Sequence, residues 1–325
     1  MEELTALGYE YKDDGRLVQV GTDRGFEFRD QAHYDKLADA VLRYVGKLLV
    51  DEAGLVPMAL PTDAAEGEPQ TVVFASEGIE KAQKVLVMIQ GSGRVRVGVW
   101  GCALCINKGL DQGTMLPYLR TAVERGYGVL VLNPNDNHAD GRPIRGSETP
   151  MRHVAYAWKA VVEGRCLPSA AIDVVAHSNG GRCLIDFLAC AEHGSDVNTR
   201  ALATDAAARI RRIVFTDSYH DARVLPLEEL PPPVRCALAD GTRCVNYVPS
   251  SEPLGTPVRM WISLGQPMTH KTRGACASRR RWRTTPPRTR RSCRRPSSFS
   301  PSEPPGQART CAPQQGCASA GGPSR

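Results

Sequence analysis

The sequence predicts an α/β fold: a doubly wound, mainly parallel sheet followed by a disordered, basic C-terminal tail. Three observations lead there. Apolar runs such as Lys84-Val-Leu-Val-Met-Ile89 and Gly126-Tyr-Gly-Val-Leu-Val-Leu132 read as strands buried on both faces. Helical segments alternate with such runs over about 190 residues, the pattern of a sheet wound on both sides. Residues 271–325 contain no Leu, Ile, Val, Met or Tyr and a single Trp and Phe. Such a segment cannot bury enough apolar area to offset its conformational entropy.

Taken in order, residues 8–30 read as a hairpin, with Leu17–Val20 and Phe26–Phe28 alternating around Gly21-Thr-Asp-Arg-Gly25. His33–Leu49 is an amphipathic helix, with Leu37, Ala38, Val41, Leu42 and Val45 at helical spacing. A Pro/Gly/Glu-rich loop is expected at 57–69, and Thr71–Ala75 is a strand expected to pair with the next one, Lys84–Ile89. Met115–Glu124 is a helix, and Gly126–Pro134 is a strand stopped by its proline. Thr149-Pro150 forms an N-cap and first-turn pair for a helix through Tyr156, Trp158 and Val162. Ile210–Asp217, Val245–Pro249 and Val258–Leu264 complete the strands. The globular body is drawn at 1–270 and the tail at 271–325.

Among these elements, Ile172-Asp-Val-Val-Ala-His-Ser-Asn-Gly-Gly181 carries the chemistry. A strand runs into small-x-Ser-x-Gly and then a helix from Gly181, the order of the nucleophile elbow of α/β-hydrolases. The sharp turn needs small neighbours, and Ala176 and Gly180 supply them. The plainer reading of Ser178 is a helix cap in an ordinary α/β sheet. Ligands in such sheets bind beyond the carboxyl ends of the strands, where Gln90, Ser178, Asp217, Glu252 and Gly265 all fall. Gln90-Gly-Ser-Gly93 is the loop expected to supply an oxyanion donor, so Gly91 and Ser92, with Asn179 beside the nucleophile, are the oxyanion candidates. An ordinary strand-end turn is the competing reading of that loop.

A working triad needs a histidine and an acid after the serine in chain order. Asp217 and Glu252 are the acid candidates. His270 is the histidine that comes after both, at the margin of the tail; His177 should point away along its strand, and His220 reads as a loop residue. Ser178, Glu252, Asp217 and His270 are therefore vestigial catalytic candidates. Cys102-Ala-Leu-Cys105 has metal or redox spacing, but no second pair is evident and two buried helix cysteines are the better reading. No metal and no cofactor is expected.

The net charge of +6 is unevenly spread. Twelve Arg, one Lys and one Glu lie from Lys271 onward, which leaves the body near −6. The first residues, Met-Glu-Glu-Leu-Thr, lack a basic start and apolar core, and no apolar run reaches membrane-span length, so a soluble intracellular protein with reduced cysteines is expected. Arg279-Arg-Arg-Trp-Arg283 and Arg288–Arg295 would suit RNA or DNA. The blander reading is GC-rich coding sequence read out of frame.

Five blocks resemble one family in the family's order: Val87–Gly93, Gly126–Asn135, Val175–Gly181, Thr216-Asp-Ser218 and Val248-Pro-Ser-Ser-Glu-Pro-Leu254. They look like the Arb (Argonaute-binding protein two) domain family, most closely its vertebrate cotranscriptional-regulator members, over roughly residues 7–265. The resemblance implies an α/β-hydrolase-like fold. It also implies nuclear work with Argonaute and chromatin-associated proteins, in small-RNA-linked heterochromatin silencing or splicing control, without a substrate. Where that family has His-Gly-Ser-Gly, this chain has Gln90-Gly-Ser-Gly93, and Asn179 replaces an aromatic after the elbow serine. His270 stands about one residue from the family's histidine, and the final helix expected beyond it is missing. The resemblance thus implies a paralogue with an altered C-terminus, as in a pseudogene-derived product, of impaired function and marginal stability. Three readings remain open: a non-catalytic nuclear interaction module, a serine esterase using Ser178, and a nucleic-acid binder acting through the tail.

Overall fold

The computed structural model describes residues 1–193, 197–218, 243–251, 253, 255–256 and 270–272, together with Pro232, Arg235 and Leu238. The chain divides into two units, Met1–Ser278 and Arg279–Arg325, and the second lies wholly outside the described residues. Outside them too are the strand expected at 258–264, the loop residue His220, and the Arg-rich runs of the tail.

The chain begins with α1 (Glu2–Ala6), then β1 (Tyr9–Tyr11) and β2 (Leu17–Gln19), which pair antiparallel. The expected hairpin is therefore displaced. Its first strand is Tyr9–Tyr11, its turn is at Gly15, where φ is +75°, and Phe26–Phe28 forms no strand. Helix α2 (Gln31–Asp51) comes next, capped by the Asp30 carboxylate, which accepts the His33 N–H. Its buried face, Leu37, Ala38, Val41, Val45, Leu48 and Leu49, is the stripe the periodicity predicts.

Then come β3 (Leu55–Leu60), β4 (Thr71–Ser76), β5 (Lys84–Ile89), α3 (Cys102–Lys108), α4 (Leu110–Gly113), α5 (Leu116–Glu124) and β6 (Gly128–Val131). A small ribbon, β7 (His138–Ala139) and β8 (Arg142–Pro143), precedes α6 (Pro150–Ala157), which continues as a π-helical turn over Trp158–Glu163. The last elements are β9 (Ala171–His177), α7 (Asn179–His193), α8 (Val197–Arg209), β10 (Ile210–Thr216), β11 (Cys244–Val248) and β12 (His270–Thr272). Strand β12 carries the sheet to Thr272, past the boundary drawn at 270 from composition.

Among the described residues the main sheet has the order β12-β11-β10-β9-β5-β6-β4-β3. Pairing is parallel from β12 through β6 and antiparallel where β4 joins β6 and β3 joins β4. Two expectations change here. Residues 57–60 belong to strand β3 rather than to a loop, and β4 pairs with β3 and β6 rather than with β5.

One face of the sheet packs Val85, Val87, Ile89, Val174, Ala176 and Phe215 against α6, α7 and α8, with Trp158 and Phe187 fully buried. The opposite face packs Met88, Val129, Val131 and Val175 against α5 and the end of α2. A third cluster joins the hairpin, α2 and α3, and there Cys102 and Cys105 are buried. Burial pushes the Cys102 thiol up to about 11 and the Cys105 thiol up as well, so both are held neutral. Among the described residues no helix is long and apolar enough to cross a membrane.

Candidate active site at the Ser178 elbow

Strand β9 ends at His177, and α7 starts at Asn179, two residues earlier than the sequence predicts. Ser178 alone makes the turn, with φ +50°, a left-handed conformation that is uncommon for a residue with a side chain. Main-chain contacts hold it there. The Ser178 N–H donates to the Thr216 carbonyl at 3.0 Å, and its own carbonyl accepts the Gly181 N–H at 3.1 Å and the Ser218 hydroxyl at 3.0 Å.

The glycines are required by close approach. A Cβ on Gly180 would stand 2.4 Å from the Gln90 carbonyl oxygen, and one on Gly181 would stand 2.0 Å from Ser218 Oγ. Gly91 is buried against the elbow, and a Cβ there would meet Ser178 Cβ at 3.0 Å. The oxyanion candidates Gly91 and Asn179 thus flank the serine, whereas Ser92 is exposed on the loop. The Asn179 side chain turns to Cys183 Sγ at 3.6 Å.

Of the catalytic candidates, Ser178 and Asp217 have described side chains. Asp217 ends the neighbouring strand β10, exposed and with φ +50°, its N–H donating to the Tyr247 carbonyl at 2.7 Å. The register Thr216↔His177 places Ser178 and Asp217 at adjacent strand ends. Glu252 lies outside the described residues. The main chain of His270, which the sequence placed at the margin of the tail, lies within β12, opposite Asn246. The Ser178 hydroxyl makes no hydrogen bond to a described residue.

His177, beside the serine, is tied to the sheet. Its Nδ1 lies 2.7 Å from the Thr216 carbonyl oxygen, which can only accept, so this nitrogen carries the proton. Its ring meets Trp100 edge-on at 5.7 Å.

A polar cluster that the sequence reading missed supports this end of the sheet. Gln90 is fully buried, and its Nε2 donates to Asn133 Oδ1 at 3.2 Å. The Asn133 N–H donates to His153 Nε2 at 2.9 Å, which puts the neutral imidazole's proton on Nδ1. That proton is directed to Ser147 Oγ at 2.9 Å, and the Ser147 hydroxyl donates in turn to the Asp136 carbonyl at 2.8 Å. Burial holds His153 far below its ordinary range, at about 3. Asn135 donates to the Gly91 carbonyl at 2.7 Å and so pins the oxyanion loop. The signal available was the run Asn133-Pro-Asn-Asp-Asn137 directly after a buried strand, a density of short polar side chains suited to tying down loops. Among the described residues no group of His, Cys, Asp or Glu is placed to hold a metal.

A parallel sheet with crossovers on both faces and a strained serine between β9 and α7 defines an α/β-hydrolase-like protein. The chain belongs to the Arb2 domain family, whose family model matches residues 1–142 and 138–254. It is similar to Cotranscriptional regulator ARB2A of Mus musculus, at 28% identity over 323 residues covering 80% of this chain and 73% of that one. A FAM172 family protein homolog of Caenorhabditis elegans is 40% identical over 185 residues, 56% of this chain and 58% of its own length. Among solved structures, a bacterial heroin esterase aligns with 14% identity and a TM-score of 0.33, over 67% of this chain and 74% of that one.

Proposed function

We propose that this chain is a nuclear cotranscriptional regulator. In this reading it is an interaction module on an α/β-hydrolase scaffold rather than a hydrolase, with Argonaute and chromatin-associated proteins as partners. The observation that carries the reading is similarity over 80% of the chain to the mouse and human proteins named Cotranscriptional regulator ARB2A. The chemistry around Ser178 supports it. A serine hydroxyl without a base is a poor nucleophile, and the Ser178 hydroxyl makes no hydrogen bond to a described residue.

Two measurements on the full chain test the proposal. A fluorophosphonate probe should label wild type and Ser178→Ala equally weakly, and both should recover Argonaute and chromatin proteins from nuclear extract. Labelling that depends on Ser178 would make the chain a serine hydrolase, with Asp217, Glu252 and His270 as its remaining candidates. Recovery of neither Argonaute nor chromatin proteins would reject the partner reading.

A further inference from the structure

Between β2 and α2 the chain runs as a strap. From Arg24 through Asp30 it makes no helix, turn or bend, and no residue in it has a positive φ. Asp30 is extended, with φ −155° and ψ 172°. Both ends are tied. The Arg24 carbonyl accepts the Gln19 N–H at 2.8 Å, and the Gly25 carbonyl accepts from Gln19 Nε2 at 3.2 Å. At the far end the Asp30 carboxylate caps α2. Phe26 anchors the middle, its ring centroid 5.9 Å from that of Tyr9, 6.1 Å from His33 and 5.9 Å from Tyr34.

Past that anchor the strap is open. The main-chain N–H and C=O groups of Phe26, Glu27, Phe28 and Arg29 make no hydrogen bond to a described residue. Glu27 and Arg29 are exposed and form no ion pair with a described residue, and Phe28 is 61% exposed. The run Phe26-Glu-Phe28 has the alternation of a strand, apolar on one face and charged on the other. Anchored, extended main chain with open donors and acceptors is the template on which a second strand pairs.

Charge selects that strand. Acid, aromatic, base is a pattern complementary to its own reversal, so Glu27-Phe28-Arg29 fits a second copy of itself. With a two-fold axis at Phe28, each Glu27 lies opposite the partner's Arg29, and the two Phe28 rings face one another. Opposite-charge and aromatic cross-strand pairs are both favourable. Glu27 and Arg29 then exchange the main-chain bonds, which leaves Phe28 as the non-hydrogen-bonded pair, where side chains come closest. We propose that residues 27–29 of two copies pair antiparallel and join the chain into a two-fold dimer. The contact is small, so the dimer is weak, with a Kd on the order of 100 µM. The inference uses nothing at Ser178 and does not depend on its chemistry.

The test is sedimentation equilibrium of the full chain at about 10–500 µM, a range that brackets this Kd, where the average mass should rise toward that of a dimer. Glu27→Arg sets arginines opposite each other, and Arg29→Glu sets glutamates opposite each other. Each charge pair occurs twice in the dimer, so either variant should associate at least about 10-fold more weakly than wild type. Mixed in equal amounts, the two variants restore opposite charges at both positions and should associate about as tightly as wild type. The double variant Glu27→Arg/Arg29→Glu should do the same alone. Both substitutions fall on exposed residues, and rescue on mixing separates lost pairing from lost folding. A wild type that stays monomeric throughout, single variants that associate as wild type does, or a mixture no tighter than its components would overturn the proposal.

Discussion

Alanine at position 180 asks whether packing against β5 holds the elbow. A Cβ there would stand 2.4 Å from the Gln90 carbonyl oxygen and 2.7 Å from that of Ile89, where real Cβ atoms essentially never come within 3.0 Å. Both oxygens are main chain at the end of β5, a strand paired with β6 on one side and β9 on the other. Neither can swing aside as a side chain would, so the cost falls at the upper end of the roughly 1–3 kcal/mol typical of overfilled sites. Replacing glycine by alanine inside α7 returns about 1 kcal/mol of helix propensity. The expected net loss is about 2 kcal/mol, or about 4–8 °C in Tm for a body of this size. Gly46, inside α2 with nothing within 4 Å of its built Cβ, is the internal control. The same substitution there lacks the steric cost and should raise Tm by about 2–4 °C. Thermal circular dichroism of the full chain in the three forms reads both shifts. If Gly180→Ala melts at or above wild type while Gly46→Ala is stabilised, the close-approach argument fails.

Buried polar groups and caps give three further outcomes. His153 keeps its imidazole neutral down to about 3, against an ordinary 6.5. The unfolded chain takes up a proton there that the native state refuses, so stability is full above pH 6.5 and falls as pH drops toward 3, by at most about 1.4 kcal/mol per pH unit. His153→Gln should therefore flatten the pH dependence of urea midpoints between pH 6.5 and about pH 5, and an unchanged slope contradicts the burial. Asp173→Asn removes the carboxylate shared by Arg211 and Tyr127, and should lower stability by roughly 1–3 kcal/mol in urea melts, against about 1 kcal/mol or less for Tyr127→Phe; equal losses would mean the charge is not what matters. Thr149 accepts the Arg152 N–H at 3.3 Å at the start of α6, so Thr149→Ala should cost about 1 kcal/mol and Thr149→Ser almost nothing.

The elements readable in the sequence were those that local chemistry fixes. Helix α2 announces itself through the spacing of Leu37, Val41 and Val45, β5 through the apolar run Val85–Ile89, β9 through the elbow pattern at its end, and the start of α6 through Thr149-Pro150. The features that escaped depend on partners far along the chain. Strand β3 was hidden by Pro57, which reads as a breaker; at the sheet's edge it pairs, among the described residues, with β4 alone, and a strand edge tolerates a missing N–H. That β4 sits beside β6, not β5, is a choice among apolar strands that no local pattern encodes. The Ser178 elbow was legible because its tight turn demands small residues at fixed offsets. The His153 network was not, because a histidine on a helix carries no mark of burial until Asn133 and Ser147 are brought to its two ring nitrogens.

Those contacts also explain why an elbow can persist without chemistry. A serine in the left-handed region stores strain of order 1–3 kcal/mol, which lasts only where its surroundings over-determine it. Here the determinants are the Thr216 carbonyl, the Ser218 hydroxyl, and the glycines at 91, 180 and 181 that let three segments of main chain meet. None of them uses the Ser178 hydroxyl, so Ser178→Ala keeps every one of these interactions. The turn at Asp217, with the same φ of +50° at the end of the next strand, is built in the same manner: Asp217 donates its N–H to Tyr247, and the Ser218 carbonyl accepts from Asn246 Nδ2 at 3.0 Å. Two strained turns side by side thus end the neighbouring parallel strands β9 and β10. The small-x-Ser-x-Gly pattern is therefore demanded by packing whether or not the serine reacts. Evidence for catalysis has to come from a base at the hydroxyl, not from the shape of the turn beneath it.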